Sequence, residues 1–225
     1  MNAPTTAVAV TVASVEGVTA TGVRWRMGSW RAAGDVHGRH LLARRWAREL
    51  VTGRLRRDWE GFAPSEPGRK PRLLGPPGVD VSISHGDDTL LVAVVGSGLV
   101  GADVEDEPFA AFQAPSLVRR MCSPAELAEL AALAGLDMPW ALRRRILASA
   151  WTVKEATLKA RGVGLAEDPR SVEVDLAALA AGGAASGPAV AIVHLVDGRA
   201  AVEHPGNDGA PSAWEGAPGG RGDRI

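Results

Sequence analysis

The chain of 225 residues has one cysteine, no tyrosine and only three phenylalanines. A single thiol excludes an internal disulfide framework and fits a reducing compartment, so a cytoplasmic protein is expected. Cys122 sits beside Arg119 and Arg120, and its expected role is that of a small apolar core residue. No apolar run approaches the roughly 18–20 residues that a membrane helix needs, so no membrane association is expected. Residues 1–17 are rich in Ala, Val and Thr but lack a basic opening; they read as a frayed lead or an edge strand rather than a signal peptide. The net charge of −1 gives no overall nucleic-acid footprint.

Charge is unevenly placed. Residues 39–72 hold ten Lys/Arg against four Asp/Glu. Such a sector reads either as a docking surface for something anionic or as a solvated helix face. It lacks the interleaved aromatics of a nucleic-acid groove.

Periodicity predicts a helix over 37–52, built on Leu41, Leu42, Trp46 and Leu50 and stopped at Gly53. Residues 64–78, with five prolines and three glycines, predict a loop that carries Lys70. Strands follow over 79–84, 89–95 and 99–105, and the turns between them predict an antiparallel meander. Residues 107–121 read as an irregular or short-helical connector. Ser123-Pro124-Ala125-Glu126 supplies an N-cap, a first-turn proline and a capping-box glutamate for a helix to about 134. A longer helix is predicted over 143–160, ended by Gly162 or Gly164. Further strands are predicted over 171–176, 189–196 and 199–203, the last two joined at Asp197-Gly198. Residues 205–225, with six Gly and three Pro, read as a disordered tail with Trp214 exposed.

Two short stretches carry the chemistry. Side chains two apart on a strand share a face, so Asp103 and Glu105 point the same way while Ala102 and Val104 face a core. In Trp151-Thr152-Val153-Lys154-Glu155-Ala156 and on to Lys159, i, i+4 spacing stacks Trp151, Glu155 and Lys159 on one stripe with Lys154 beside it. Three carboxylates and two lysines suit a divalent cation holding a pyrophosphate. Either stretch alone reads more readily as a solvated surface.

Together the two stretches resemble the signatures of the 4′-phosphopantetheinyl transferase superfamily. Gly101-Ala102-Asp103-Val104-Glu105 is similar to its G-[IV]-D-[IV]-E motif, and residues 151–159 are similar to W-x-x-K-E-A-x-x-K. Val81-Ser82-Ile83-Ser84-His85, Gly68-Arg69-Lys70-Pro71 and Ser123-x-x-Glu126 are similar to supporting elements, and the resemblance spans about residues 39–196. Two departures stand out: Ser82 where members often have Asn, and Gly86 where they often have Ser. Lys70 also lies one residue further from its glycine than usual.

The resemblance implies an α+β fold of two similar halves, each a helix plus antiparallel sheet, related by a pseudo-twofold with the site between them. The halves would be residues 1–106 and 107–204, and the chain a monomer, since it holds about twice the content of single-half members. It implies transfer of 4′-phosphopantetheine from coenzyme A to a serine of an apo carrier protein, releasing 3′,5′-ADP. The carrier's pathway, whether fatty acid, polyketide, nonribosomal peptide or lysine synthesis, is left open. The metal ligands would be Asp103, Glu105 and Glu155, holding Mg²⁺ or Mn²⁺. Lys154 and Lys159 would meet phosphate charge, and Lys70, Ser84, His85 and Arg44 would contact coenzyme A. Glu155, directly or through water, would take the serine proton, with His85 the competing base. Trp151 is expected to pack as core. The alternative functions are a non-catalytic carrier-binding protein and a metal-dependent phosphohydrolase.

Overall fold

The structure is a computed structural model that describes residues 13–64, 69–182 and 186–205. The tail beyond Pro205, with Trp214, lies outside the described residues, as do residues 1–12.

The fold is α+β. Strands β1 (Ser14–Val18), β2 (Arg24–Ser29), β3 (Asp80–His85) and β4 (Thr89–Val95) form one antiparallel sheet in the order β1-β2-β4-β3. Strands β5 (Leu99–Glu105), β6 (Ala189–Val196) and β7 (Arg199–Glu203) form a second, in that order. The expected meander over 79–105 is therefore corrected. Both edges of β4 are already taken, by β2 and β3, so β5 leaves the sheet and founds the next one against β6.

Helix α1 (Val36–Glu49), capped by the Asp35 side chain on Gly38 N at 2.8 Å, runs into a π-helical turn at Leu50–Arg54. It buries Leu42, Ala43, Trp46 and Ala47 against Val81, Leu90, Val92 and Val94 of the first sheet. The opposite face of β4 (Leu91, Ala93, Val95) meets Val100, Ala102, Val104, Val190 and Ile192 of the second sheet. On the far side of β6, α4 (Trp140–Arg161) packs Val153, Ala156 and Ala160 on Ala191 and Val193. The layers thus run helix, sheet, sheet, helix. With both faces covered, β4 can be apolar at nearly every position.

β3 lies beside the open edge of β5, yet the two share no backbone ladder. Side chains fill the gap. Asp80 Oδ2 accepts from Val100 N at 2.7 Å, Ser82 Oγ from Ala102 N at 2.9 Å, and Ser84 Oγ donates to Asp103 Oδ1 at 2.7 Å. Every second residue of β3 thus satisfies a polar group on β5, which closes an edge that would otherwise expose unpaired donors.

Between the strands of the second sheet lie α2 (Pro115–Met121), α3 (Pro124–Ala134) and α5 (Leu176–Ala181). The capping box at α3 forms as expected: Ser123 Oγ accepts from Glu126 N, and Glu126 Oε2 from Ser123 N. Buried Cys122 joins the core beneath these helices, where burial pushes its thiol up to about 11. Trp151 packs partly buried against the same core. The strand expected over 171–176 is not formed. Side chains from α3 take the backbone donors that a neighbouring strand would use: Val174 N donates to Glu126, and Leu176 N and Ala177 N donate to Glu129. The hairpin at Asp197-Gly198 forms, both residues taking the positive φ that its tight turn requires.

Candidate active site

The two stretches meet where α4 crosses β5. Gly101, Asp103 and Glu105 alternate onto the face that α4 covers. Gly101 permits that crossing, since a Cβ there would lie 1.7 Å from Ala156 O and 2.6 Å from Ala160 N. The close approach brings the Lys159 ammonium 2.5 Å from Asp103 Oδ1, 3.1 Å from Glu155 Oε2 and 3.1 Å from Ser84 Oγ. Four residues from three elements therefore share one polar cluster.

Asp103 is nearly inaccessible, and its Oδ2 is buried without a hydrogen-bond partner among the described residues. Burial, with Glu155 adding to it, pushes the Asp103 carboxyl up to about 6 against the pull of Lys159 and Ser84. Glu105 makes no side-chain hydrogen bond or ion pair with a described residue. Burial and then the charges of Asp103 and Glu155 push it up to about 7. Burial opposes the charge on Lys159, but the two carboxylates outweigh it and hold the ammonium above its ordinary range.

Excess negative charge and an orphaned buried oxygen fit a hard divalent cation. Among the described residues, however, no three such groups stand close enough to form a ready cation cage. Lys159 sits between Asp103 and Glu155 and takes up part of their charge.

Beside the cluster opens a cleft of about 590 Å³, lined by Trp30, Arg39, His85, Gly86, Asp87, Glu105, Asp106 and the connector residues 108–112. His85 ends β3 at its rim. Burial, then Arg39 and Lys159, hold its imidazole below the usual range. The lining thus brings the Arg39 guanidinium and the His85 imidazole together with the carboxyl groups of Asp87, Glu105 and Asp106.

Three expected phosphate contacts lie elsewhere. Lys154 is fully buried, with its ammonium 2.8 Å from Glu126 Oε1 and bonded to the carbonyls of Pro169 and Val172. It points to the opposite side of α4 from Lys159 and cannot meet a ligand in the cleft. Lys70 pairs with Asp80 at the start of β3, five residues from His85 and so about 17 Å away along the strand. Burial, more than Asp80 offsets, lowers its pKa. Arg44 stacks on Phe62, 4.9 Å from the ring centroid, in a separate groove with Arg48 and Trp59 on the outer face of α1. The basic sector is accordingly split. Among the described residues of the sector, only Arg39, stacked at 4.9 Å over Trp30, lines the cleft, while Arg54 is bound to Glu16.

Arg39, Trp30 and Asp106 were not foreseen as site residues. For Arg39 a signal exists: the Asp35 cap fixes where α1 starts, and with it the direction of its first turn.

Residues 99–192 match the family model described as the 4′-phosphopantetheinyl transferase superfamily. The match covers 94 of the 225 residues, and over that span the chain is similar to that superfamily. The matched span contains Asp103, Glu105, Glu155 and Lys159, and so most of the polar cluster. A comparison with curated proteins returned no match. Phosphopantetheinyl transfer in general goes with the superfamily, and a carrier protein and coenzyme A are the partners that it implies.

Proposed function

We propose that the protein transfers 4′-phosphopantetheine from coenzyme A to a serine hydroxyl of an apo carrier protein, releasing 3′,5′-ADP, with Mg²⁺ or Mn²⁺ required. The reading rests on one observation: the Ser84–Asp103–Lys159–Glu155 cluster, whose Asp103 Oδ2 has no hydrogen-bond partner among the described residues, lies beside a cleft lined by Arg39, His85 and Glu105. Asp103, Glu105 and Glu155 would hold the cation. That ion supplies Lewis acidity, neutralising pyrophosphate charge and improving the leaving group.

Each side chain then has a distinct task. His85 and Arg39 bind phosphate. The positive neighbours of His85 suit it to an anion better than to taking a proton. Lys159 is the lysine of the motif left to meet charge that develops in the transition state, as a point cation. Ser84 helps hold the Asp103 carboxylate in place. Glu155, half-buried beside Lys159, takes the serine proton directly or through a water.

The test is mass spectrometry of several apo carrier proteins incubated with the protein, coenzyme A and Mg²⁺. Addition of one phosphopantetheine, dependent on all three, is the expected result. Carrier binding without addition would support the binding-only alternative, and phosphate release without a carrier the phosphohydrolase.

A further inference from the structure

Asp106 follows Glu105 at the end of β5, and its side chain leaves the second sheet to grip the first. Its Oδ2 accepts from Asp88 N at 2.8 Å and Thr89 N at 3.0 Å, and its Oδ1 accepts from the Thr89 hydroxyl at 2.5 Å. These three bonds fix the β3–β4 turn, which begins immediately after His85. The turn in turn holds Trp30: Asp88 O accepts from Trp30 N at 2.9 Å, and Gly86 O from Trp30 Nε1 at 3.3 Å. Trp30 carries the stacked Arg39. One carboxylate therefore organises the side of the cleft that carries His85, Trp30 and Arg39 from the end of the strand that carries Glu105.

Gly86 completes the arrangement. A Cβ at this position would lie 2.4 Å from Asp106 Oδ2, so any side chain here would displace the carboxylate from the turn. Asp106 and Gly86 fit as a pair.

We propose that Asp106 is a positioning residue that sets the span between His85 and Glu105, and hence between the anion-binding and cation-binding walls. It lines the cleft, but both its carboxylate oxygens are engaged by the Asp88 and Thr89 amides and the Thr89 hydroxyl, so it acts through the turn that it holds. The inference rests on reading the cleft as the coenzyme A site, but its geometric half stands independently.

Two measurements on the full chain test it. First, amide exchange by NMR: Asp88 and Thr89 amides should be protected in the wild type and lose that protection in Asp106→Ala. Second, calorimetry of coenzyme A binding without carrier: Asp106→Ala should bind about tenfold more weakly, a loss of about 1.4 kcal/mol. Gly86→Ala should weaken binding similarly, and the double variant should bind no worse than Asp106→Ala alone. Asp106→Asn, which keeps one acceptor oxygen, should recover part of the affinity. Wild-type affinity in Asp106→Ala, or losses that simply multiply in the double variant, would overturn the inference. Should the wild type bind no coenzyme A, the functional reading falls and the amide measurement alone decides: unchanged protection in Asp106→Ala rejects the positioning role, and lost protection upholds it.

Discussion

Lys159 lies 2.5 Å from Asp103, a residue 56 positions earlier in the chain. The contact joins the strand motif to the helix motif, and it explains why neither is a solvated surface. The pairing also makes Asp103 a buried group, where a strand face open to solvent was expected. Truncation to alanine would therefore leave Lys159 short of a partner and destabilise the fold.

The cleaner variant is Asp103→Asn, which keeps the shape and removes the charge. Transfer should fall by about 10²–10³-fold, the scale seen on removing one electrostatic group from a preorganised site. The thermal midpoint should move by only a few degrees. Activity within a few-fold of wild type at saturating Mg²⁺ would remove Asp103 from the site.

Stability should depend on pH in a defined direction. Asp103 titrates near 6 and Glu105 near 7 in the folded chain, above their ordinary values of about 4. The folded state binds more protons than the unfolded one between these limits, so stability falls as pH rises from about 4 to 7 and levels off above. A cation bound by the deprotonated pair should stabilise more at pH 8 than at pH 5. At a hundredfold excess over Kd the gain is about 2.7 kcal/mol, several degrees of Tm for a chain of this size. Melting curves with and without Mg²⁺ at both pH values check this, and an equal shift at both would contradict it.

His85 is held below its usual range by burial and by Arg39 and Lys159. A phosphate placed beside it favours the imidazolium. Coenzyme A binding near pH 6.5 should therefore take up a fraction of a proton, read as a buffer-dependent enthalpy in calorimetry. The uptake should vanish in His85→Ala, with weaker binding. Uptake that persists in the variant would assign the proton to another group.

Lys154 should act on stability rather than on ligands. Lys154→Met leaves Glu126 charged and buried, at a cost of about 3–5 kcal/mol. Replacing both with apolar residues, as in Lys154→Met with Glu126→Leu, should recover part of it. Urea unfolding measures both. A raised KM for coenzyme A with unchanged stability would return Lys154 to the cleft.

The local signals in the sequence were strong where one element decides the outcome. The Ser123 capping box, the Asp197-Gly198 turn and the helix bearing Glu155 each follow from a few adjacent residues. What could not be read depended on partners distant in sequence. The β5 strand was legible as a strand, but not its sheet, because β2 had claimed the edge of β4. Residues 171–176 have strand-like composition, yet Glu126 and Glu129 hold their amides. Lys154 and Lys159 look alike within the motif. Only the packing of α4, with Glu126 on one side and Asp103 on the other, separates the structural lysine from the site lysine. Arg39 was overlooked for Arg44 because spacing along a helix does not say which end meets a cleft.

The joint between β3 and β5 has a consequence for how such a site can change. A backbone ladder fixes the separation of two strands at one value, whatever the residues. Here Asp80, Ser82 and Ser84 set it, and each can be exchanged by a single substitution without disturbing any strand pairing. The last of the three contacts ends on Asp103. A longer side chain at position 82 would thus act like a shim, altering the tilt between the sheets and carrying that adjustment to Asp103, the neighbour of the Ala102 that Ser82 holds.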